Sequence, residues 1–483
     1  MGGQLLLGVA VQASVYLQGL ILFPIIIRHA GTASYGQFVV VVTLLYLVFG
    51  LYASGVPYRY RRELVSADGA EARRTLFAPQ FTFQLLCLGA IGMVIAIWSA
   101  VAPELPGAAL ISWLAANTFY RLVIDYFRYT LRLGLFNFLS AAFPYLFLLL
   151  VVAVVFAGGG LSVERLLWLQ AASLVLPALL LLPPMLREIG LPGVTLDWRC
   201  WVADFRQGAP LTAEMIIDFL LANSDRPLIA LYLSTTDVGR YQPAYTLGAL
   251  MIFLPRVSDA IVLPNLIKLV DDGRTAEAGR LIKIVLNLLL MIALPFAVAT
   301  LLLGPTIILL LTNADIATAS RWVTPIVACA AIFYGVMLLA GQVAFALRRT
   351  RAILAASAIG GATNVVLNLL LLPLFASIVV AAATTLVGYA AGLALIVAML
   401  RRVWRFRVEW PAIARFAVAA AAMAFLLLQL GYRPGVPLAV SPWGLAGTIG
   451  AGILSYFAVL FAVGGIPVKD FCDIIAVSPR RAG

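Results

Sequence analysis

Histidine is almost absent from this sequence of 483 residues: His29 stands alone. Zinc chemistry and a histidine-dependent triad need more than that supply. No catalytic residue and no metal site is expected, and no cofactor. Charge is scarce as well. Charged residues make up 11% of the chain, against about 25% in soluble domains. Also missing is the alternation of apolar and polar residues that a membrane β-barrel requires. These shortages exclude a soluble enzyme, a disordered chain, an outer-membrane barrel and a nucleic-acid-binding domain.

What the chain has is apolar length. It is 63% hydrophobic, with a mean hydropathy of +1.04. A helix needs roughly 20 mostly apolar residues to cross a bilayer. The sequence is read as an all-α polytopic membrane protein with about fourteen transmembrane helices: 4–27, 38–58, 77–101, 109–130, 138–157, 165–186, 209–233, 241–265, 282–311, 322–347, 352–374, 377–400, 413–431 and 443–464. Only Ala376 and Ser377 separate the eleventh from the twelfth. The start MGGQLLLGVA has no basic segment, so it is read as the first membrane helix and not as a cleaved signal.

The basic residues orient the spans. The net charge is +12, from 33 basic and 21 acidic side chains. With the N-terminus inside, 25 of the 33 basic residues fall on the cytoplasmic side, 5 on the opposite side and 3 within spans. The positive-inside rule then places both termini in the cytoplasm. The four cysteines, Cys87, Cys200, Cys329 and Cys472, lie in spans or on that side, with no CxxC. No disulfide is expected.

A repeat runs through the chain. Pro24-Ile-Ile-Ile-Arg-His-Ala-Gly-Thr-Ala-Ser-Tyr-Gly36 aligns without gaps on Pro227-Leu-Ile-Ala-Leu-Tyr-Leu-Ser-Thr-Thr-Asp-Val-Gly239, at an offset of 203. Pro24/Pro227, Ile26/Ile229, Thr32/Thr235, Gly36/Gly239, Thr43/Thr246 and Leu44/Leu247 coincide. The offset spans six helices, so both copies keep the same orientation. It implies two parallel six-helix lobes, spans 1–6 (residues 1–200) and spans 7–12 (residues 201–406), around a central cavity. Spans 13 and 14 with the tail (residues 407–483) are then an appendage. Transporters commonly use such a design for alternating access.

Ionisable residues at membrane depth are costly and are functional candidates by default. Span four carries Arg121 and Asp125, four apart on one face, and span eight carries Arg256 and Asp259. Each is either a neutralised pair joining helices or part of a basic lining that holds an anionic headgroup. Glu214, Asp218 and Asp225 form an acidic stripe in span seven beside Arg226. The stripe reads either as coupling carboxylates or as counter-ions for the arginines. Gln12, Tyr16, Gln18, Tyr46, Tyr52, Tyr120, Tyr126 and Tyr129 suit sugar binding, by stacking and hydrogen bonding. Tyr58, Tyr60 and Tyr432 are read as interfacial aromatics. Gly388, Gly392 and Gly360-Gly361 are read as close helix packing.

The stretch Leu22-Phe-Pro-Ile-Ile-Ile-Arg-His-Ala-Gly-Thr-Ala-Ser-Tyr-Gly-Gln-Phe, then Gly50-Leu-Tyr-Ala-Ser-Gly-Val and Arg61-Arg-Glu-Leu, resembles the opening of the polysaccharide-transport family. So does Asn223-Ser-Asp-Arg-Pro-Leu-Ile-Ala-Leu-Tyr-Leu-Ser-Thr-Thr-Asp-Val-Gly-Arg-Tyr. These O-antigen or repeat-unit flippases belong to the superfamily that includes lipid II flippases and MATE multidrug exporters. The resemblance implies an inner-membrane flippase for undecaprenyl-diphosphate-linked oligosaccharide, without enzymatic activity, working beside the polysaccharide polymerase machinery and among membrane lipids. It implies a cationic cavity. Asp225 and Arg226 fit the second motif and Arg28 follows the first, while Arg121 and Arg256 are cavity residues by depth. Gln18 and Tyr46 are expected to face the glycan. The rival reading is a cation-coupled exporter of small amphipathic molecules on the same fold, which the acidic residues favour.

Overall fold

Lipid offers no partner for backbone N–H and C=O groups, so a run of apolar residues that crosses it closes its hydrogen bonds internally, as a helix. The computed structural model of the chain describes residues 2–53, 58–102, 104, 106–404, 406 and 408–465, with the side chains of 2–13, 16, 211 and 257–261 outside the description. Eighteen α-helices follow one another: α1 (Gly2–Ala30), α2 (Thr32–Ala53), α3 (Tyr58–Glu63), α4 (Ala70–Val101), α5 (Gly107–Tyr129), α6 (Leu133–Phe156), α7 (Val163–Ile189), α8 (Trp198–Asn223), α9 (Asp225–Tyr232), α10 (Thr235–Gly248), α11 (Phe253–Asp271), α12 (Thr275–Leu311), α13 (Ala314–Ala319), α14 (Val323–Ala346), α15 (Thr350–Phe375), α16 (Ile378–Leu400), α17 (Trp410–Gln429) and α18 (Pro442–Ala462).

Each expected span has a helix at its place, and among the described residues eleven helices are single, long and apolar enough to cross a bilayer. The seventh and eighth differ. In α1 the described side chains form an apolar run over Leu17–Ala30. The seventh is two consecutive helices, α8 and α9, which meet at Ser224, itself in a right-handed helical conformation. The eighth is α10 and α11 joined by a 3₁₀ turn, Ala249–Ile252. The narrow join between the eleventh and twelfth spans is real. Ala376 takes a left-handed conformation, and the Ser377 hydroxyl caps α16 by accepting from the Val379 N–H at 3.3 Å.

The chain divides into two units. The first is Met1–Phe219 with Ser234–Gly239; the second is Leu220–Leu233 with Arg240 onward. In the first, α5 is the core helix, packed against α7. Trp113, Leu114, Tyr126 and Phe127 are fully enclosed there. In the second, α14 packs against α11, α12 and α16. Helices α17 and α18 pack on each other and on α12 through Phe416, Met423, Leu427, Tyr456, Leu302 and Leu303.

Glycines permit the closest approaches. The carbonyl of Gly360 on α15 lies 2.8 Å from where a Cβ on Gly388 of α16 would stand. Within the first unit, the starts of α2 and α10 cross still more tightly. A Cβ on Gly36 would stand 1.8 Å from the Thr235 carbonyl oxygen, and a Cβ on Gly239 2.1 Å from that of Thr32. These four residues are the pairs that the 203-residue offset matches, Thr32/Thr235 and Gly36/Gly239. The contact is therefore reciprocal: each threonine carbonyl faces the glycine of the other copy.

Two interfacial readings are corrected. Tyr60 and Tyr432 are buried, because each has an aromatic or polar neighbour to close over it. Tyr60 stacks edge-on against Phe77 with ring centres 5.8 Å apart, and the Tyr432 hydroxyl lies 3.2 Å from Thr448 Oγ1.

Candidate functional site

Two buried polar centres stand out, one in each unit. The first surrounds Asp125 on α5. Arg121 Nε donates to Asp125 Oδ2 at 3.1 Å, as the spacing of four requires on a helix. A second guanidinium joins them: Arg61 Nη2 of α3 lies 3.6 Å from the same oxygen and donates to the Ala53 carbonyl at 2.8 Å, where α2 ends. The expected isolated pair is thus a group of three. One carboxylate faces two cations, so the group carries a net positive charge. Asp125 is enclosed and its Oδ1 has no hydrogen-bond partner among the described residues, while the Arg121 side chain keeps 37% of its surface open. Arg61 was missed because α3 brings a loop arginine back over α5, and no local spacing reports that.

Aromatic and amide groups extend along α5. Trp113 Nε1 donates to Gln170 Oε1 at 2.9 Å, and Tyr46 stands edge-on to Trp113 with centroids 4.8 Å apart. Tyr52 and Thr118 share a hydrogen bond of 2.7 Å. Tyr46 is partly open, whereas Gln18 is buried with its Nε2 unpartnered among the described residues. The side chains of Gln12 and Tyr16 lie outside the described residues.

At the end of α5, Glu188 of α7 gathers three partners. It bonds Arg73 at 3.3 Å and accepts from the Tyr126 hydroxyl at 2.5 Å, and it pairs with Arg132. Arg128 instead lies over the rings of Tyr129 and Phe136, 5.6 and 5.7 Å from their centroids.

The second centre is built on α9. Asp225 pairs with Arg226 at 2.9 Å and accepts from the Tyr241 hydroxyl. Arg226 also donates to Gln242 Oε1 at 2.9 Å and to the Ala222 carbonyl at 2.5 Å, and its guanidinium lies 4.2 Å from the centre of the Tyr245 ring. Both side chains are almost closed off, at 6% and 3% exposure. Desolvating such a pair is costly, and the amide, carbonyl and ring partners offset that cost. An amide ladder continues from it: Ser224 bonds Asn364 at 3.0 Å, and Asn364 bonds Thr385 at 3.0 Å and Asn368 at 3.1 Å. Asp225 as counter-ion of Arg226 was one of the two readings of the acidic stripe; the other partners were not expected, although Tyr241/Tyr245 and Asn364/Asn368 are polar pairs four apart in apolar helices and carry a readable signal.

The other expected residues are not brought into either centre. The acidic stripe divides: Glu214 and Asp218 are exposed, whereas Asp225 is enclosed by Tyr241 and Arg226. Arg28 and Arg256 are exposed. The Asp259 side chain, and with it the expected Arg256–Asp259 pair, lies outside the described residues.

Comparison with known proteins agrees with this architecture. Residues 136–320 match the family described as polysaccharide biosynthesis protein. A probable flippase, AglR, of Haloferax volcanii is 28% identical over 239 residues, 48% of this chain and 49% of that protein. The chain thus matches about half the length of that curated relative. Among solved structures, the lipid II flippase MurJ in an inward closed conformation is similar with a TM-score of 0.75 at 11% identity, covering 94% of this chain and 98% of the other. An inward-facing multidrug resistance MATE family transporter of the MOP superfamily gives 0.63 at 13%, covering 82% and 97%. The chain is a multi-pass helical membrane protein with the fold of the MurJ and MATE transporters. The polysaccharide biosynthesis family and the probable flippase are what this chain is similar to, over residues 136–320 and over 239 residues respectively.

Proposed function

We propose that the protein is a flippase that moves undecaprenyl-diphosphate-linked oligosaccharide across a bacterial inner membrane by alternating access. The observation that carries this reading is the Arg61–Asp125–Arg121 group, where one enclosed carboxylate is outnumbered by two guanidinium groups and Arg121 is still open. Arginine's planar fork can give two parallel hydrogen bonds to a diphosphate oxygen pair. Arg121 holds the headgroup, while Tyr46 and Gln18 serve the glycan. Arg226 acts as the internal counter-ion of Asp225 and sets the shape of α9. In this account the lobes are residues 1–200 and 201–406 with 407–483 appended, and both termini are cytoplasmic. The protein makes and breaks no glycosidic bond, and a polymerase downstream consumes what it delivers.

The second reading, a cation-coupled exporter of small amphipathic molecules, is favoured by the exposed acids Glu214 and Asp218. The test is surface glycan in a strain lacking its own flippase, normalised to membrane protein level. Restored glycan that is lost with Arg121→Ala and kept with Glu214→Gln/Asp218→Asn supports the flippase. No restoration, with resistance to cationic drugs instead, overturns it.

A further inference from the structure

We infer that the second unit carries a binding site for the phosphate of a membrane lipid, in a cleft at one end of α15 and α16. The cleft encloses about 470 Å³ and is lined by Arg349, Arg401, Arg402, Ala398, Met399 and Val403. It lies apart from both polar centres described above. The turn from α14 to α15 is fixed by its own backbone. Arg348 takes a left-handed conformation with φ of 57°, and the Arg349 N–H donates to the Ala344 carbonyl at 2.7 Å. This presents Arg349 towards the end of α16, where Arg401 and Arg402 follow the last helical residue.

The charge balance asks for an anion. Arg348 faces Asp271 at 3.6 Å, but no ion pair is found among the described residues for Arg349, Arg401 or Arg402. Arginines at the C-terminal end of α16 agree with its dipole, whereas Arg349 caps the N-terminal end of α15, where a cation is disfavoured. The first turn of α15 holds no acid, and its cap makes no side-chain hydrogen bond. Three arginines thus line one cleft, and among the described residues no carboxylate pairs with them.

Aliphatic side chains beside the arginines favour a lipid over a free ion. Met399 and Val403 keep 39% and 44% of their surfaces open in the same cleft. Such aliphatic exposure beside arginine matches an acyl chain under a phosphate. Basic pockets between membrane helices bind anionic headgroups on this principle, each Lys or Arg near the surface strengthening binding by about fivefold. Two sources share the chemistry: an anionic phospholipid of the leaflet, and a polyprenyl diphosphate.

The test is native mass spectrometry of the full-length protein with cardiolipin, phosphatidylglycerol, phosphatidylethanolamine, undecaprenyl diphosphate and inorganic phosphate in separate arms. The triple variant Arg349→Gln/Arg401→Gln/Arg402→Gln is compared with a control of equal charge loss, Arg62→Gln/Arg74→Gln/Arg187→Gln. The expected result is a loss of about tenfold or more in phosphate-lipid retention for the first, and less than twofold for the second. An Arg→Lys triple retains part of the binding, which separates the site from a folding defect. Preference for cardiolipin or phosphatidylglycerol assigns the site to leaflet lipid, and preference for undecaprenyl diphosphate assigns it to a substrate-type lipid. Equal losses in both triples, or binding of inorganic phosphate alone, overturn the proposal.

Discussion

Replacing Gly36 by alanine puts a methyl group where no atom can stand. The new Cβ lies 1.8 Å from the Thr235 carbonyl oxygen and 2.7 Å from the Gly239 nitrogen, while ordinary contact begins near 3.4 Å. The starts of α2 and α10 must part by about 1.6 Å, the gap between those two distances. Both neighbours are backbone, so no side chain can swing aside. Overpacking of this kind costs about 1–3 kcal/mol, and a backbone clash lies at the top of that range. Gly239→Ala meets the Thr32 carbonyl at 2.1 Å and costs nearly as much. One separation relieves both clashes, so the double variant loses clearly less than the sum of the two. Gly89 on α4 has nothing within 4 Å, and Gly89→Ala serves as the control. It removes a helix-interior glycine and gains up to about 1 kcal/mol. The assay is thermal unfolding in mild detergent, followed by circular dichroism. Additive losses, or a Gly36→Ala variant as stable as Gly89→Ala, would refute the reciprocal crossing.

Four further outcomes follow from the polar groups. Arg121→Ala leaves Asp125 paired with Arg61, so the variant inserts normally and loses glycan export; if export persists, Arg121 does not touch substrate. Arg61→Ala together with Arg121→Ala strands the enclosed Asp125, and adding Asp125→Ala restores membrane level while export stays absent; restored export would make the group purely structural. Glu188→Ala frees Arg73, Arg132 and Tyr126 at once and lowers stability by about 1–3 kcal/mol; an unchanged unfolding temperature would show the group to be slack. Glu409, just before α17, takes hydrogen bonds from Lys283 and from Asn287, the latter at 2.6 Å, and Lys283 above all holds its carboxyl below the usual range. Its folded pKa is depressed, so its stabilisation is present above the ordinary carboxylate pKa and is lost as pH falls through the folded value. Glu409→Gln therefore flattens the acid side of a stability profile. A profile as steep as the parent's would refute that role.

Much of the fold is legible in hydropathy because lipid leaves the backbone one solution. The expected spans over α4, α7 and α12 lie within helices that begin or end a few residues further out. Where the spans carry charge, the reading fails locally. Asp225 and Arg226 draw Tyr241, Gln242 and Tyr245 around them, partners that hydropathy does not report. The repeat was visible through Thr32, Gly36, Thr235 and Gly239, yet the offset alone did not say that these residues touch. The sites were half legible. Arg121 and Asp125 sit four apart and announce themselves, while Arg61 reaches Asp125 across 64 residues, through a return of the chain that no periodicity encodes. The tail residues Lys469, Cys472, Arg480 and Arg481 lie outside the described residues.

The central claim is tested most directly by reconstitution. Purified protein is placed in liposomes holding a fluorescent undecaprenyl-diphosphate-linked oligosaccharide, and a membrane-impermeant quencher reads the fraction of headgroups on the outer leaflet. Transport by the flippase raises the quenched fraction above that of protein-free liposomes, and Arg121→Ala abolishes the rise at equal reconstitution. A quenched fraction equal to that of protein-free liposomes, or a rise that Arg121→Ala leaves intact, would contradict the account.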